Sequence, residues 1–245
     1  MPTLLQRVAA PLARIGLDHV GVVAAERYDA LAPASASTST GRVHPGTRSI
    51  AVFASGGRAH WDAFLAYVAA DPHGRLLARA HPLDDFCAET FASLSSELAG
   101  CRVVFPTVHA EIHLDFLALA RLAGLGAESE LGILVSARFG PWFAMRAAVF
   151  TPELLEETGE VPPPCASCPA PCRGACPAGA VGLRPFPWRA CVEARASSCA
   201  ARCDAREACI VGVDARYGEL ERAYHHDPAR ARRLLLARFG LDAQG

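Results

Sequence analysis

Eight of the ten cysteines of this 245-residue chain fall between residues 165 and 209, and their spacing is its strongest chemical signal. The first run is Cys165-x2-Cys168-x3-Cys172-x3-Cys176-Pro177. The second set, Cys191, Cys199, Cys203 and Cys209, is looser and has no C-x2-C. Thiolates are soft donors, and four so close together suit a soft metal or an iron–sulfur cluster. All eight are therefore candidate metal ligands. Zinc would favour paired C-x2-C knuckles, and only one is present. A disulfide framework does not suit the compartment the sequence points to. Arg7 and Arg14 interrupt any signal-peptide core, and no apolar run approaches the roughly 18 residues of a membrane span. The chain is expected to be cytoplasmic, where disulfides are rare, and to have no membrane partner.

The first run is similar to the bacterial ferredoxin run C-x2-C-x2-C-x3-C-P, with one extra residue between its second and third cysteines. In such runs the fourth cysteine ligates the other cluster. That analogy assigns Cys165, Cys168, Cys172 and Cys209 to one [4Fe-4S] cluster. It assigns Cys176, Cys191, Cys199 and Cys203 to the other, if there are two. Cys87 and Cys101 lie in helix and strand contexts and read as buried small hydrophobes.

The elements that must position this chemistry precede and follow it. Hydrophobic residues make up 51% of the chain and charged residues 20%, enough for a sizeable core. Residues 1 to about 160 read as α/β sequence. Helical spacing covers Leu4–Ile15, Trp61–Val68, a helix from Pro82 through Phe86, Phe91, Leu94 and Leu98, and the face Ile112, Phe116, Leu119, Ala123. Strands are expected at Val20–Ala24, Ser49–Ala54 and Arg102–Phe105. Leu131–Ala137 and Trp142–Phe150 read as a β-hairpin around Gly140-Pro141. Pro33–Gly46 reads as an exposed loop and Glu153–Glu157 as a short helix. The tail should be helical at Leu220–Tyr224 and Pro228–Phe239, with Asp227 as N-cap.

Composition removes some chemistries. All 24 basic residues are arginine, so Schiff-base, Walker-A and kinase lysines are excluded. The formal net charge of -1 gives no basic excess for nucleic acid. Gly124-Leu125-Gly126 lacks the third glycine of a dinucleotide fingerprint and follows a helix, so it reads as a helix C-cap and tight connection. His109 and His113 flank a helical stripe and read as partly buried, with His109 also a candidate cofactor contact. His225-His226 reads as exposed. Arg230, Arg232, Arg233 and Arg238 read as mostly a solvated helix face.

Further residues carry a family resemblance. Ser136-Ala137-Arg138-Phe139-Gly140-Pro141-Trp142-Phe143-Ala144-Met145-Arg146 resembles the hairpin of the cobalamin-processing family of cblC type, the cyanocobalamin decyanases and alkylcobalamin dealkylases. His81-Pro82-Leu83-Asp84-Asp85-Phe86-Cys87 is similar to a helix start there, and Val108-His109 lies near a Val-His that contacts the corrinoid. Arg216-Tyr217, Tyr224, Pro228 and Arg232 resemble its C-terminal helices. Ala123-Gly124-Leu125-Gly126 and the cysteines are similar to epoxyqueuosine reductases and reductive dehalogenases, which pair a cobalamin domain with two [4Fe-4S] clusters.

These resemblances imply an α/β (α+β) fold. A nitroreductase-like core sheet flanked by helices would span 1–160, a Cys-rich ferredoxin-like module 161–212 and a helical tail 213–245. They imply cobalamin in the core, with FMN as the alternative. Phe139, Gly140, Trp142, Gly124 and Gly126 would line the corrin, and His109 would contact it or its nucleotide tail. Arg146 and Arg232 would bind glutathione or another anionic co-substrate, whose third family arginine falls near Ala208. The implied activity is reduction of a corrinoid by decyanation, dealkylation or a related reductive cleavage. Electrons would come from a flavodoxin or ferredoxin. The alternatives are an epoxyqueuosine-reductase-like enzyme and a ferredoxin-like electron-transfer protein without corrinoid. Where epoxyqueuosine reductases carry an Asp proton donor, the nearest positions hold His109, Ala110 and Glu111.

Overall fold

The computed structural model describes residues 2–31, 37–71, 73–106, 112–200 and 202–240. In chain order the elements are α1 (Leu4–Arg14), β1 (His19–Ala24), α2 (Ala25–Leu31), α3 (Thr40–Val43), β2 (Ser49–Gly56), α4 (Ala59–Ala69) and α5 (Pro82–Ser93). There follow β3 (Arg102–Val104), α6 (Phe116–Leu122), β4 (Ala127–Glu128), β5 (Leu134–Val135) and β6 (Phe143–Thr151). The Cys-rich stretch and tail add α7 (Pro171–Ala175), α8 (Trp188–Arg195), α9 (Asp204–Glu207), α10 (Glu219–His226) and α11 (Pro228–Phe239).

The main sheet is antiparallel, in the order β1-β2-β6-β3. Every residue of β2 is buried because both of its faces are covered. Ile50, Val52 and Ala54 point to one layer with Tyr28, Leu119 and Leu122. Ala51 and Phe53 point to the other, where Leu4, Val8 and Leu12 of α1 meet Cys87 and Phe91 of α5. Side chains that alternate along a strand thus fill two cores at once, which explains the unbroken apolar run. A third cluster joins Trp61, Phe64 and Val68 of α4 to Leu83 and Phe86 of α5 and Leu235 of α11. The tail is docked there, and the Asp227 carboxylate accepts from the Arg230 N–H at 2.9 Å as α11's cap.

Several expectations are corrected. The hairpin does not form: β6 pairs with β2 and β3, β5 pairs with β4, and only a Ser136–Gly140 bridge ties the two segments. An apolar run cannot name its strand partner, and β2 offers β6 a longer ladder than its sequence neighbour does. Ile112 lies outside α6, because Asp115 accepts from the Ala118 N–H and sets the start one turn later. Helix α5 ends at Ser93, with Leu94 as its cap, so Leu98 packs from a turn. Glu153–Glu157 is irregular, and its acids bond to Arg7, Arg27 and backbone N–H groups. Within the expected loop Pro33–Gly46, Thr40–Val43 is helical and Thr40 is buried on Asp29.

Candidate functional site

The cysteines sort into two neighbourhoods. Burial raises the Cys172 thiol, and the thiols of Cys209, Cys165 and Cys168 add to the rise. Cys209 is raised by burial and then by Cys165 and Cys168. In the other neighbourhood, burial raises Cys191, helped by Cys176 and Cys199. Cys203 is raised by burial, Cys199 and Cys191. No such influence crosses between the sets among the described residues. Cys203 and Cys209 bracket the short helix α9, which turns the chain from one set to the other.

Cys176, Cys191, Cys199 and Cys203 all line one cavity of about 200 Å³, with Arg195, Arg206, His226 and apolar residues completing its wall. Among the described residues no three or more His, Cys, Asp or Glu side chains converge as they would on a single metal ion. A cubane cluster is bulkier than one ion and holds its thiolates farther apart. A thiol-lined cavity of this kind fits the group, because soft donors surround a space that no side chain fills.

The cavity adjoins a cleft. Ile133 and Arg206 line both, and the cleft continues along Leu117, Leu134, Phe143, Ala144, Met145, Tyr217 and His225 in a volume of about 310 Å³. Leu117, Ile133 and Leu134 also border a neighbouring hollow of about 480 Å³ that reaches Arg121 and Arg184. Leu117 and Ile133 are large apolar side chains left 51% and 41% exposed at this rim. Such a concave, mainly apolar surface with a few polar groups has the shape and lining of a candidate ligand site.

His225 and His226 divide the two spaces. His225 faces the cleft and His226 the thiol cavity. Burial drives the His225 imidazole down to about 3, with Arg146 and Arg206 adding to the effect. It is therefore neutral, and its Nε2 is buried without a protein partner. The expected solvent exposure of this pair is thus overturned: α10 is amphipathic, and Glu221 and His225, four residues apart, turn inward together. A hydropathy pattern assigns acids and histidines to the outside, so it gives no signal for them.

Arg146 owes its position to an irregularity in the sheet. Phe53 pairs with Ala147 and Ala54 with Met145, so Arg146 is the extra residue of a bulge in β6. Its Nε donates to Ser55 Oγ at 3.1 Å, and its Nη1 lies 3.5 Å from Asp84 Oδ1. Around it lie three groups with orphaned buried atoms: His60 Nε2, Glu221 Oε2 and His225 Nε2. The His60 Nδ1–H donates to the Ile15 carbonyl at 2.7 Å, which leaves Nε2 as a bare acceptor. Burial pushes the Glu221 carboxyl up to about 8 against the pull of Arg146, so it is largely protonated at neutral pH.

The other expected site residues are more dispersed. Trp142 is buried, with Arg206 stacked on it. Phe139 is buried in the core, 5.1 Å from the His19 ring. Gly140 approaches the Val211 carbonyl, Gly124 abuts Gly159, and Gly126 packs on Phe143 and Val135. Arg232 spends its Nε on the Leu77 carbonyl at 2.7 Å and its Nη2 on that of Ala78 at 3.0 Å. Arg230, Arg233 and Arg238 are exposed, as a solvated face should be. His109 lies outside the described residues. His113 is exposed, not partly buried, because it precedes α6 in an extended segment. Cys87 is fully buried, and Cys101 half-buried against the same cluster. Sequence reasoning missed His60, Arg206 and Glu221.

No protein-family profile matches the chain, and no curated protein matches it. Solved structures do. A C. elegans B12-trafficking protein CblC, a homologue of human MMACHC, superposes with a TM-score of 0.64 at 12% identity, covering 99% of this chain and 97% of that one. An epoxyqueuosine reductase with a tRNA-Tyr stem loop gives 0.58 at 14% identity over 98% and 84%. Epoxyqueuosine reductase from Streptococcus thermophilus gives 0.56 at 13% over 96% and 79%. The chain shares the fold of these structures. Its antiparallel sheet flanked by helices, with a Cys-rich region appended, is the mixed α/β arrangement expected. No helix among the described residues is long and apolar enough to cross a membrane.

Proposed function

We propose that the chain is a corrinoid-binding iron–sulfur reductase. The observation that carries this reading is the cavity lined by Cys176, Cys191, Cys199 and Cys203, which shares Ile133 and Arg206 with a mainly apolar cleft. Those four cysteines would hold one [4Fe-4S] cluster, and Cys165, Cys168, Cys172 and Cys209 a second. On this reading 161–212 is the cluster module, 1–160 is the corrinoid-binding core and 213–245 is the helical tail. The shared fold with a B12-trafficking protein supports cobalamin as the cleft's ligand.

When bound, the two groups supply one-electron transfer and a cobalt centre for reductive cleavage. The chain's own residues do the rest. Leu117, Ile133, Leu134 and Phe143 exclude water from the ligand's face. Arg206 places a positive charge on the wall between the two spaces. His225, neutral and with a free ring nitrogen, offers the ligand a polar contact. Arg146, held by Ser55 and Asp84, sets a buried positive charge behind the cleft.

The test is an anaerobic spectroscopic titration of iron-reconstituted protein with hydroxo- and cyanocobalamin, with and without dithionite. Saturable cobalamin shifts beside a bleachable thiolate–iron band are expected. A bleachable band with no corrinoid response would leave a flavin enzyme or an electron carrier. Saturable binding of a tRNA stem loop in place of corrinoid would move the reading to an epoxyqueuosine-reductase-like enzyme.

A further inference from the structure

Helix α8 carries Cys191 into the thiol cavity, yet it leaves an apolar stripe on the surface. Trp188 is 61% exposed and Val192 56%, and the spacing of four makes them neighbours on one helix face. Arg195, three residues further, extends the stripe and also borders the cavity. The Arg189 guanidinium lies 5.2 Å from the Trp188 ring centroid. Single exposed hydrophobes are ordinary, but a tryptophan beside a valine on the helix that bears a candidate cluster ligand is a patch with a location.

Charge selects what fits it. Residues 161–212 contain six arginines and three acids. Two of those acids are already paired, Asp204 with Arg202 and Glu207 with Arg222. Arg173 is paired with Glu130. Among the described residues no ion pair involves Arg184, Arg189 or Arg195. The third acid, Glu193, is exposed on α8, so this helix sets two arginines without an ion pair against one acid around its apolar centre, although the whole chain is slightly negative.

We propose that the outer face of α8, centred on Trp188 and Val192 and ringed by Arg189 and Arg195, docks an acidic one-electron carrier protein. This rests on the cluster reading of the cysteines. The apolar centre supplies the desolvated contact, and the arginines steer an acidic rim into register. One electron passes from the carrier's reduced group to the group held by Cys176, Cys191, Cys199 and Cys203, across the width of α8. The carrier is oxidised, the held group is reduced, and no bond or proton need change place.

Stopped-flow reduction of the full-length, iron-reconstituted protein tests this, with reduced flavodoxin and reduced ferredoxin as separate acidic donors and dithionite as the small-molecule control. The variants are Trp188→Ala, Arg189→Glu and Val192→Ala, whose exposed positions leave the core and the cavity wall untouched. Carrier-driven bleaching should slow by about tenfold or more in each, and in wild type it should slow as salt rises. Dithionite should bleach all proteins alike. Unchanged carrier-driven rates in the variants overturn the proposal. So does a wild type reduced by neither carrier faster than by free reduced flavin. Loss of tRNA stem-loop binding in the variants with unaltered carrier kinetics would assign the face to RNA instead. A wild type with no dithionite-bleachable band would overturn the cluster reading itself, and the docking face with it.

Discussion

The Arg206 guanidinium lies 4.5 Å from the ring centroid of Trp142. It lies 5.0 Å from that of Tyr217, and it donates to the Pro141 carbonyl through Nε at 3.1 Å and Nη2 at 2.6 Å. Aromatic faces and a carbonyl thus hold a cation that no ion pair among the described residues neutralises, on the wall shared by the thiol cavity and the cleft. A fixed positive charge stabilises whichever neighbouring state is more negative, and for a thiolate-bound cluster that is the reduced one. Arg206→Gln should therefore lower the midpoint potential of the cluster in that cavity, and Arg206→Lys should lower it less. Redox titration followed by electron paramagnetic resonance reads this directly. An unshifted potential in a fully loaded Arg206→Gln protein would remove the electrostatic role.

Two separate thiol sets make a second prediction. Cys209→Ser should empty the site of Cys165, Cys168 and Cys172 and leave the other loaded. Cys199→Ser should do the reverse. Iron and acid-labile sulfide per chain should fall by about half in each single variant and vanish in the double one. If either single substitution abolished both signals, the eight cysteines would be one cooperative unit.

The cysteine spacing was readable because thiol chemistry constrains residue type, whereas the neighbourhood each cysteine joins depends on the turn at α9, which spacing does not show. The buried strand β2 was legible from its apolar run, and the starts of α5 and α11 from Pro82 and Asp227-Pro228. The pairing of β6 was not, since strands of similar composition compete and long-range geometry decides. The position of Arg146 depends on a bulge, which leaves no local signature in Ala144-Met145-Arg146-Ala147. Buried Glu221 and His60 and the inward-turned ring of His225 contradict the polar-outside rule, and such contradictions concentrate where structure serves a site.

The Glu221 carboxyl gives a signed pH dependence. Its ordinary value is 4.5, and burial lifts it to about 8 in the fold, with Asp62 adding to the rise and Arg146 and Arg58 opposing it. Below the unfolded value both states hold the proton and nothing is lost. As pH rises from about 4.5 to 8, the unfolded chain releases its proton while the folded one keeps it, so stability falls across that window. Glu221→Gln should flatten this slope and be the more stable protein at pH 9, by on the order of a few kcal/mol. His60 and His225, both held down to about 3 chiefly by burial, act oppositely. Their contribution is complete above 6.5 and is lost as pH falls toward 3. Urea titrations at stepped pH separate the two effects. A parallel pH profile for Glu221→Gln and wild type would show that Glu221 is ionised in the fold.

Gly140 locks the core to the cysteine region, and its replacement tests that lock. Its φ is +60°, a left-handed backbone that costs a residue with a Cβ about 1–2 kcal/mol. A Cβ there would also run into the Val211 carbonyl oxygen. Gly212 sits in the reciprocal position, where a Cβ would strike the backbone of Phe139 and Gly140. Neither side can move without shifting backbone, so Gly140→Ala should cost about 2 kcal/mol or more. For a chain of this size each kcal/mol lowers Tm by about 2–4 °C. Val211 is two residues past Cys209, so the displacement should also loosen iron held with Cys165, Cys168 and Cys172 and spare the site of Cys176, Cys191, Cys199 and Cys203. Gly174 is the control: it lies inside α7, its added Cβ would meet nothing within 4 Å, and Gly174→Ala should be neutral or slightly stabilising. Thermal unfolding with iron retention measured alongside reads both effects. Equal behaviour of the two alanine variants would mean that the contact between Gly140 and Val211 does not hold the module in place.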